Sequence, residues 1–531
     1  MVRSKLVYSV GLCALALGCS TSGEAVNGDG TDNTPGGSVN VSQGGAQDIA
    51  LFRSLVEQGK VPSPDTLDPV GFFAEHAIDL PDANCGKDIC VHPFLAVAPR
   101  FDGGNWTMAF VAMNTAVDPS ELDRPPVHLT VALEDSVYAN MVPSAIAAGL
   151  ESLAAALRPE DRVSVVTFGD KAERRLLLAA PGSPELATFL SDAASWYVPT
   201  DQQVGLYDGI AAAATAFADG DASGFDGDHR VLLLTSGKAT TGITDPDHIL
   251  GLGEALVEQG AAFGVIGVGP SFDAKIPSAL GSMGAGTYAY ALSQSDLTEL
   301  LGDEGKTTLF PLATEFTLQV KPSAGYEVGR IYGTKRATSS AGGASLSMPA
   351  LFIGKRDGES SVGGSRRGGG GGLFVELLFD PTSATGIGGD APAFQMTADW
   401  KSAKDAAPQN LDVTTLNSLP PGENPDGMWW TLSDDGDGKP FMMLNMYLAL
   451  RGALDFYQAG DCARAIGVVD MMQTSVSAWL GEYSDTDITD DNNLMLKLQQ
   501  NIETACEQAL SSTEPIEPIE PTGFDGGCCF F

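Results

Sequence analysis

The 531-residue chain is short of cations: 30 Lys and Arg stand against 68 Asp and Glu, a formal net charge of -38. Neutralising phosphates takes lysine and arginine, so neither a nucleic acid nor an anionic lipid surface suits this chain as a partner. Histidine is scarcer still. The five histidines (His76, His92, His128, His229 and His248) show no metal-ligand spacing, which leaves each a core or surface role. Beyond residue 17 no apolar run reaches the about 18 residues that a membrane-spanning helix needs. There is no G-x-S-x-G nucleophile elbow, and "TSGK" at residues 235–238 lacks the upstream glycine of a phosphate loop. Among the acidic clusters, "SDTDITDDNN" looks like a calcium loop. A loop starting at Asp485 or Asp487 would need Glu at its twelfth position, however, and meets Leu496 or Leu498. Helix N-capping accounts for these aspartates.

What is present begins with an address. Arg3 and Lys5 precede an apolar run at residues 6–17 that is too short to anchor the chain. The run ends in "LALGCS", which resembles a bacterial lipoprotein signal with Cys19 as the lipidated first mature residue; Ala16 stands where Leu is usual, and an ordinary secretory signal is the alternative. Ser20 after that cysteine implies, by the same resemblance, the outer membrane, with the lipid as sole anchor. Residues 20–47 are Gly, Ser, Thr, Asn and Asp with few apolar side chains, the composition of a flexible linker.

Eight cysteines fit an exported protein. Cys85 and Cys90, in "NCGKDICVH", are close enough to bridge; zinc with His92 is the rival, but a fourth ligand is lacking. At the other end, helices are expected at about residues 440–458, 461–481 and 490–511. Cys462 and Cys506 lie at similar distances from a turn near Asp485, so an antiparallel helix pair brings their sulfurs level. A bridge there contributes about 4 kcal/mol by loop-closure entropy.

Between these ends, residues 127–309 alternate apolar strands ("VHLTVAL", "RVSVVTFG", "RVLLLTSG", "AAFGVIGVG", "GTYAYA") with helical stretches at 144–157, 184–196, 206–219, 246–258 and 273–283. That alternation predicts a doubly wound α/β domain on a mostly parallel sheet. Residues 48–126 read as two helices and a strand pair, and 310–404 as antiparallel β. The two flanks are expected to share a sandwich-like frame into which the α/β domain is inserted. Residues 405–511 are read as a linker and C-terminal helices isolated from the rest, and 512–531 as an acidic, proline-spaced tail carrying Cys528 and Cys529.

Four segments, "ALRPEDRVSVVTFGDKA", "VGLYDGIAAAATAF", "HRVLLLTSGKATTGITDPDHIL" and "AAFGVIGVGPSFDAKIPSALGSMGAGTYAYA", occur in an order and spacing that resembles a von Willebrand factor type A domain. The flanks resemble a bacterial lipoprotein group that sets such a domain inside a β-rich frame. The resemblance implies a metal-ion-dependent adhesion site above the carboxyl ends of the strands, built from Asp-x-Ser-x-Ser, a Thr and a second Asp. Here those positions hold Glu134, Ser136, Tyr138, Val204 and Ser236, and Ser136 alone is unchanged. Mg²⁺ or Mn²⁺ needs about six oxygens. The expectation is a degenerate site without metal or other cofactor, in a non-enzymatic protein that binds a protein partner. A cation-dependent adhesin with an atypical site, and an enzyme assembled from separate domains, are the alternatives.

Overall fold

The computed structural model describes residues 39–46, 49–118, 122–141, 143–194, 203–269, 272–302, 305, 309–334, 336–354, 371–379, 392–416 and 438–511. The signal with Cys19, and the acidic tail with Cys528 and Cys529, lie outside them.

The strands in chain order are β1 (Val39–Gln43), β2 (Gly45–Ala46), β3 (Cys90–Pro99), β4 (Asn105–Thr115), β5 (Val127–Glu134), β6 (Arg162–Phe168), β7 (Ala172–Ala179), β8 (Asp228–Thr235), β9 (Ala262–Val268) and β10 (Thr287–Ala291). They continue with β11 (Ala313–Pro322), β12 (Tyr326–Tyr332), β13 (Ala337–Ser340), β14 (Gly343–Ile353), β15 (Leu373–Phe379), β16 (Pro392–Ser402) and β17 (Pro408–Leu416).

One sheet runs β2-β10-β9-β8-β5-β6-β7. All its pairings are parallel except β7, which lies antiparallel on β6 at the edge. β5 is buried at every position, as a strand covered on both faces must be. Helices Pro143–Ala155, Pro184–Ala193 and Gln294–Leu301 cover one face through Ile146, Leu150, Phe189 and Leu297. Helices Leu206–Ala222, Pro246–Glu258 and Lys275–Gly281 cover the other through Ile210, Phe217, Ile249 and Leu280. This is the expected doubly wound domain. β7 and helix Gln294–Leu301 are additions to the sequence reading.

The flanking strands form a second, antiparallel sheet in the order β12-β15-β4-β1-β14-β11-β16-β17, with β3 on β4 and β13 on β14. It folds around one core that includes Val111, Phe316, Leu346, Phe394 and Trp400. Strands from before and after the α/β domain pair directly, β15 with β4, so that domain is inserted in the frame.

Three boundaries need correction. Residues 39–46, expected within the linker, are strands: β1 pairs with β4 and β14 of the frame, and β2 with β10 of the α/β sheet. Val41 is 1% exposed. Backbone pairing and that burial offset the ordering entropy that a polar composition argued against. Second, the linker does not begin at residue 405, because β17 pairs along β16. Third, the C-terminal helices are not isolated. Helices Lys439–Gln458, Cys462–Glu482 and Thr486–Ser511 share one core with helices Ala50–Glu57 and Pro69–Ala74 and with Ala96, Met108, Phe110 and Phe374 of the frame. Their apolar faces close over the outer side of β3, β4 and β15, whose alternate residues are thus buried on both sides.

Two disulfides are present among the described residues. Cys85–Cys90 closes a tight loop, with Cα atoms 5.7 Å apart. Cys462–Cys506 joins two C-terminal helices with Cα atoms 6.2 Å apart, across 44 residues of sequence. Next to the first, His92 Nε2 meets Asn114 Oδ1 at 2.7 Å. Of the aspartates in "SDTDITDDNN" expected to cap a helix, Asp485 does so, accepting from the Ile488 amide at 2.9 Å, whereas Asp487 accepts from Lys439 and the Ala77 amide and Asp491 pairs with Arg53; Asp68, Asp245 and Asp461 cap other helices.

His128 in β5 carries a pH dependence. It is fully buried, with Nε2 2.8 Å from Ser164 Oγ, which itself accepts from the Leu178 amide. Burial, then the neighbouring His229, lowers its pKa to about 4, with Asp221 opposing. The unfolded chain therefore binds the proton more readily than the folded one. The contribution of neutral His128 is complete above about pH 6.5 and is lost as pH falls toward 4. Between pH 7 and 5 the wild type is expected to lose about 2 kcal/mol that a His128→Gln variant does not lose. Denaturant unfolding at the two pH values measures it; equal losses in both proteins would refute the assignment.

Candidate functional site

The sheet's carboxyl ends gather the loops after β5, β8 and β9, the place where open α/β sheets bind ligands. Glu134 is the last residue of β5 and is 0% exposed. The chain then turns into the short helix Asp135–Asn140, so the strand ends at Glu134. Beside it, β8 ends at Thr235 and is followed by Ser236.

These elements build one hydrogen-bonded cluster on the Glu134 carboxylate. Oε1 accepts from the hydroxyls of Ser136 and, at 2.6 Å, Ser236. Oε2 accepts from the Thr235 hydroxyl at 2.5 Å and the Ser236 amide at 2.9 Å. The Thr235 oxygen in turn accepts from the Gly237 amide at 2.9 Å. Gly237 is required here. Its φ is +77°, and a Cβ would lie 1.9 Å from the Asp273 carbonyl oxygen. That close approach lets the Asp273 amide bond the Ser236 carbonyl at 2.9 Å, tying the loop after β8 to the loop after β9. Asp135 is half-buried, and its carboxyl is raised above the ordinary range, by burial first, against the pull of Arg175.

Of the five positions the family resemblance marks, three converge: Glu134, Ser136 and Ser236. Val204 does not. Its side chain is 4% exposed and packs in the core with Phe168, Leu206 and Ile210. Its backbone is near the site instead. The Val204 amide donates to Thr240 Oγ1 at 2.7 Å, and its carbonyl accepts from the amides of Thr240 and Thr241. The Gly205 amide donates to the Gly169 carbonyl at 2.8 Å, linking a further loop. The side chain of Tyr138 lies outside the described residues. Lys238 is exposed. Thr235 was not singled out in the sequence; its place beside Ser236 at a strand end was the available signal.

The donor set can be tested against the octahedral oxygen shell of a Mg²⁺-type ion. One carboxylate is within the cluster, and both its oxygens are engaged by the chain's own donors. Two of the hydroxyls a cation would need, Ser136 and Ser236, point their protons at that carboxylate. The Val204 side chain has no oxygen to add. The set does not fit such an ion without dismantling these bonds. Among the described residues no cluster of three or more His, Cys, Asp or Glu side chains is arranged to hold a metal.

Strand order and the antiparallel edge strand define a doubly wound α/β domain set in an antiparallel β frame, with this loop cluster at the carboxyl ends of the α/β sheet. No protein-family model matches the chain, and no curated protein does. Among solved structures, the chain is similar to a von Willebrand factor type A protein from Catenulispora acidiphila. That match has 15% identity and a TM-score of 0.45, and covers 78% of this chain and 96% of that one. It is also similar to the ArnB paralog VWA2 from Sulfolobus acidocaldarius, with 14% identity, a TM-score of 0.43, and 79% and 98% covered. A third is proximal thread matrix protein 1 of the mussel byssus, with 18% identity, a TM-score of 0.29, and 35% and 47% covered.

Proposed function

We propose that this is a non-enzymatic, lipid-anchored envelope protein whose α/β domain binds a protein partner through its top loops without a bridging metal ion. The observation that carries the reading is the Glu134 carboxylate, closed by four donors from its own chain where the family resemblance implies a cation. The Val204 side chain, turned into the core, supports it.

The binding surface is the loop set at residues 134–140, 199–206 and 236–245. Its described parts are cross-tied through Val204, Thr240 and Gly205, so little ordering entropy remains to be lost on association. Ile243 and Leu292, 40% and 42% exposed, add apolar surface at that same end. The anchor is Cys19, and the outer membrane is its destination. A charge of -38 fits a partner that is neither nucleic acid nor anionic lipid.

Two experiments test the two halves. Mature protein is expected to show no thermal stabilisation by millimolar Mg²⁺ or Mn²⁺, because a ligand bound only by the folded state would raise the melting temperature. A shift of several degrees favours the cation-dependent adhesin instead. A full-length Cys19→Ala chain is expected to leave the membrane fraction; retention there would defeat the anchor.

A further inference from the structure

Arg53, Arg124 and Arg230 are buried arginines, 6%, 9% and 5% exposed. Arg53 carries carboxylates from Glu75 and Asp491. Arg124 is gripped by both oxygens of Asp161, at 2.9 and 2.7 Å. Arg230 is the exception. Its Nη1 makes one long contact, 3.3 Å, to the carbonyl of Ala285, and its Nε has no partner. Among the described residues no carboxylate lies within ion-pair distance of it. The one that acts on it, Asp228, is exposed, and the charge of Arg124 opposes its own. Burial, before those two, lowers its pKa to about 10, which leaves it a cation at neutral pH.

Arg230 sits at the amino end of β8, opposite Leu129 of β5 and Ala262 of β9. It is therefore at the far end of the sheet from Glu134. The guanidinium of Arg124 lies 3.8 Å over the Phe310 ring, so the chain enters and leaves the α/β domain at one junction. A buried charge is costly unless paired, and a water molecule satisfies an N–H but not the charge. At 5% exposure, with Nε unpartnered and one long bond to a carbonyl, the guanidinium is left to find its counter-charge in a small solute ion.

We infer that the guanidinium of Arg230 binds a small inorganic anion, a halide or an oxyanion such as phosphate, at the amino end of the α/β sheet. The anion supplies the counter-charge that Arg53 and Arg124 obtain from carboxylates. It thereby stabilises the α/β domain independently of the loops around Glu134.

The test is thermal unfolding of the mature chain at constant ionic strength, with chloride replacing gluconate, a much larger and more weakly coordinating anion. The wild type is expected to gain about 2–4 °C as chloride rises from millimolar to hundreds of millimolar. Arg230→Met is expected to show no chloride response. A phosphate arm separates the sources: a larger gain with phosphate than with chloride, in the wild type only, identifies the oxyanion. Should Arg230→Met fail to fold, chlorine NMR line broadening by the wild type, competed by phosphate, reads the same site. Equal melting of the wild type in chloride and gluconate overturns the inference, as does an undiminished chloride response in Arg230→Met.

Discussion

Replacing Arg53 with methionine is expected to destabilise the protein by about 3–5 kcal/mol, because it strands two carboxylates in the core. Arg53 donates from Nε and Nη2 to Glu75 Oε2 at 2.8 and 2.5 Å, and from Nη2 to Asp491. His76 completes the group, with Nε2 2.8 Å from Asp491 Oδ2 and Nδ1 2.9 Å from the Phe72 carbonyl. Burial works against the Arg53 charge, yet Glu75 and Asp491 hold it above its ordinary value. The network joins helix Ala50–Glu57 to helix Thr486–Ser511 across 438 residues of sequence. Asn501, donating to the carbonyls of Val56 and Lys60, adds to the same contact.

The effect of Arg53→Met therefore extends beyond the two helices it joins. Those helices share their core with β3, β4 and β15, so the N-terminal helices, the C-terminal helices and one face of the frame are expected to lose protection together. Hydrogen exchange followed by peptide provides the measurement. Loosening confined to residues 439–511 would restore the isolated helical module that the sequence argued for. A loss below about 1 kcal/mol would mean that the ions are interchangeable with apolar packing.

How much of this was legible beforehand depends on the range of the interactions. The α/β domain was readable because each strand and helix carries its own period, and burial on both faces makes β5 and β8 nearly continuous apolar runs. The Cys462–Cys506 pairing followed from helix arms of equal length. β1 was missed because its evidence is two alternating valines, Val39 and Val41, among polar neighbours, and its partners include Ile353, over three hundred residues away. β7 was missed because an edge strand needs little apolar alternation: Glu173, Arg174 and Arg175 face water. The docking of the C-terminal helices was hidden for the same reason as β1. An amphipathic helix shows that it has a buried face without showing which surface covers it.

At the candidate site, the family resemblance marked Glu134, Ser136 and Ser236, and the identity of Val204 showed that it brings no side-chain oxygen. Neither showed that the remaining groups satisfy one another, which depends on hydroxyl directions at the ends of two neighbouring strands. That closure makes Glu134 structural, and the last prediction follows from it. Glu134→Ala is expected to lower stability by about 2–4 kcal/mol, since it leaves the hydroxyls of Thr235, Ser236 and Ser136 and the Ser236 amide without their acceptor. Glu134→Gln keeps one acceptor oxygen, and the hydroxyls can rotate to accept from its amide, so about 1 kcal/mol is expected there. The decisive comparison is with metal removal. Were the carboxylate holding a cation, stripping the wild type with EDTA would reproduce most of the alanine effect. If its role is to accept from its own chain, EDTA is expected to leave the wild type unmoved while Glu134→Ala melts well below it. A wild type that falls with EDTA as far as the alanine variant would return the site to cation chemistry and remove the basis for a metal-free interface.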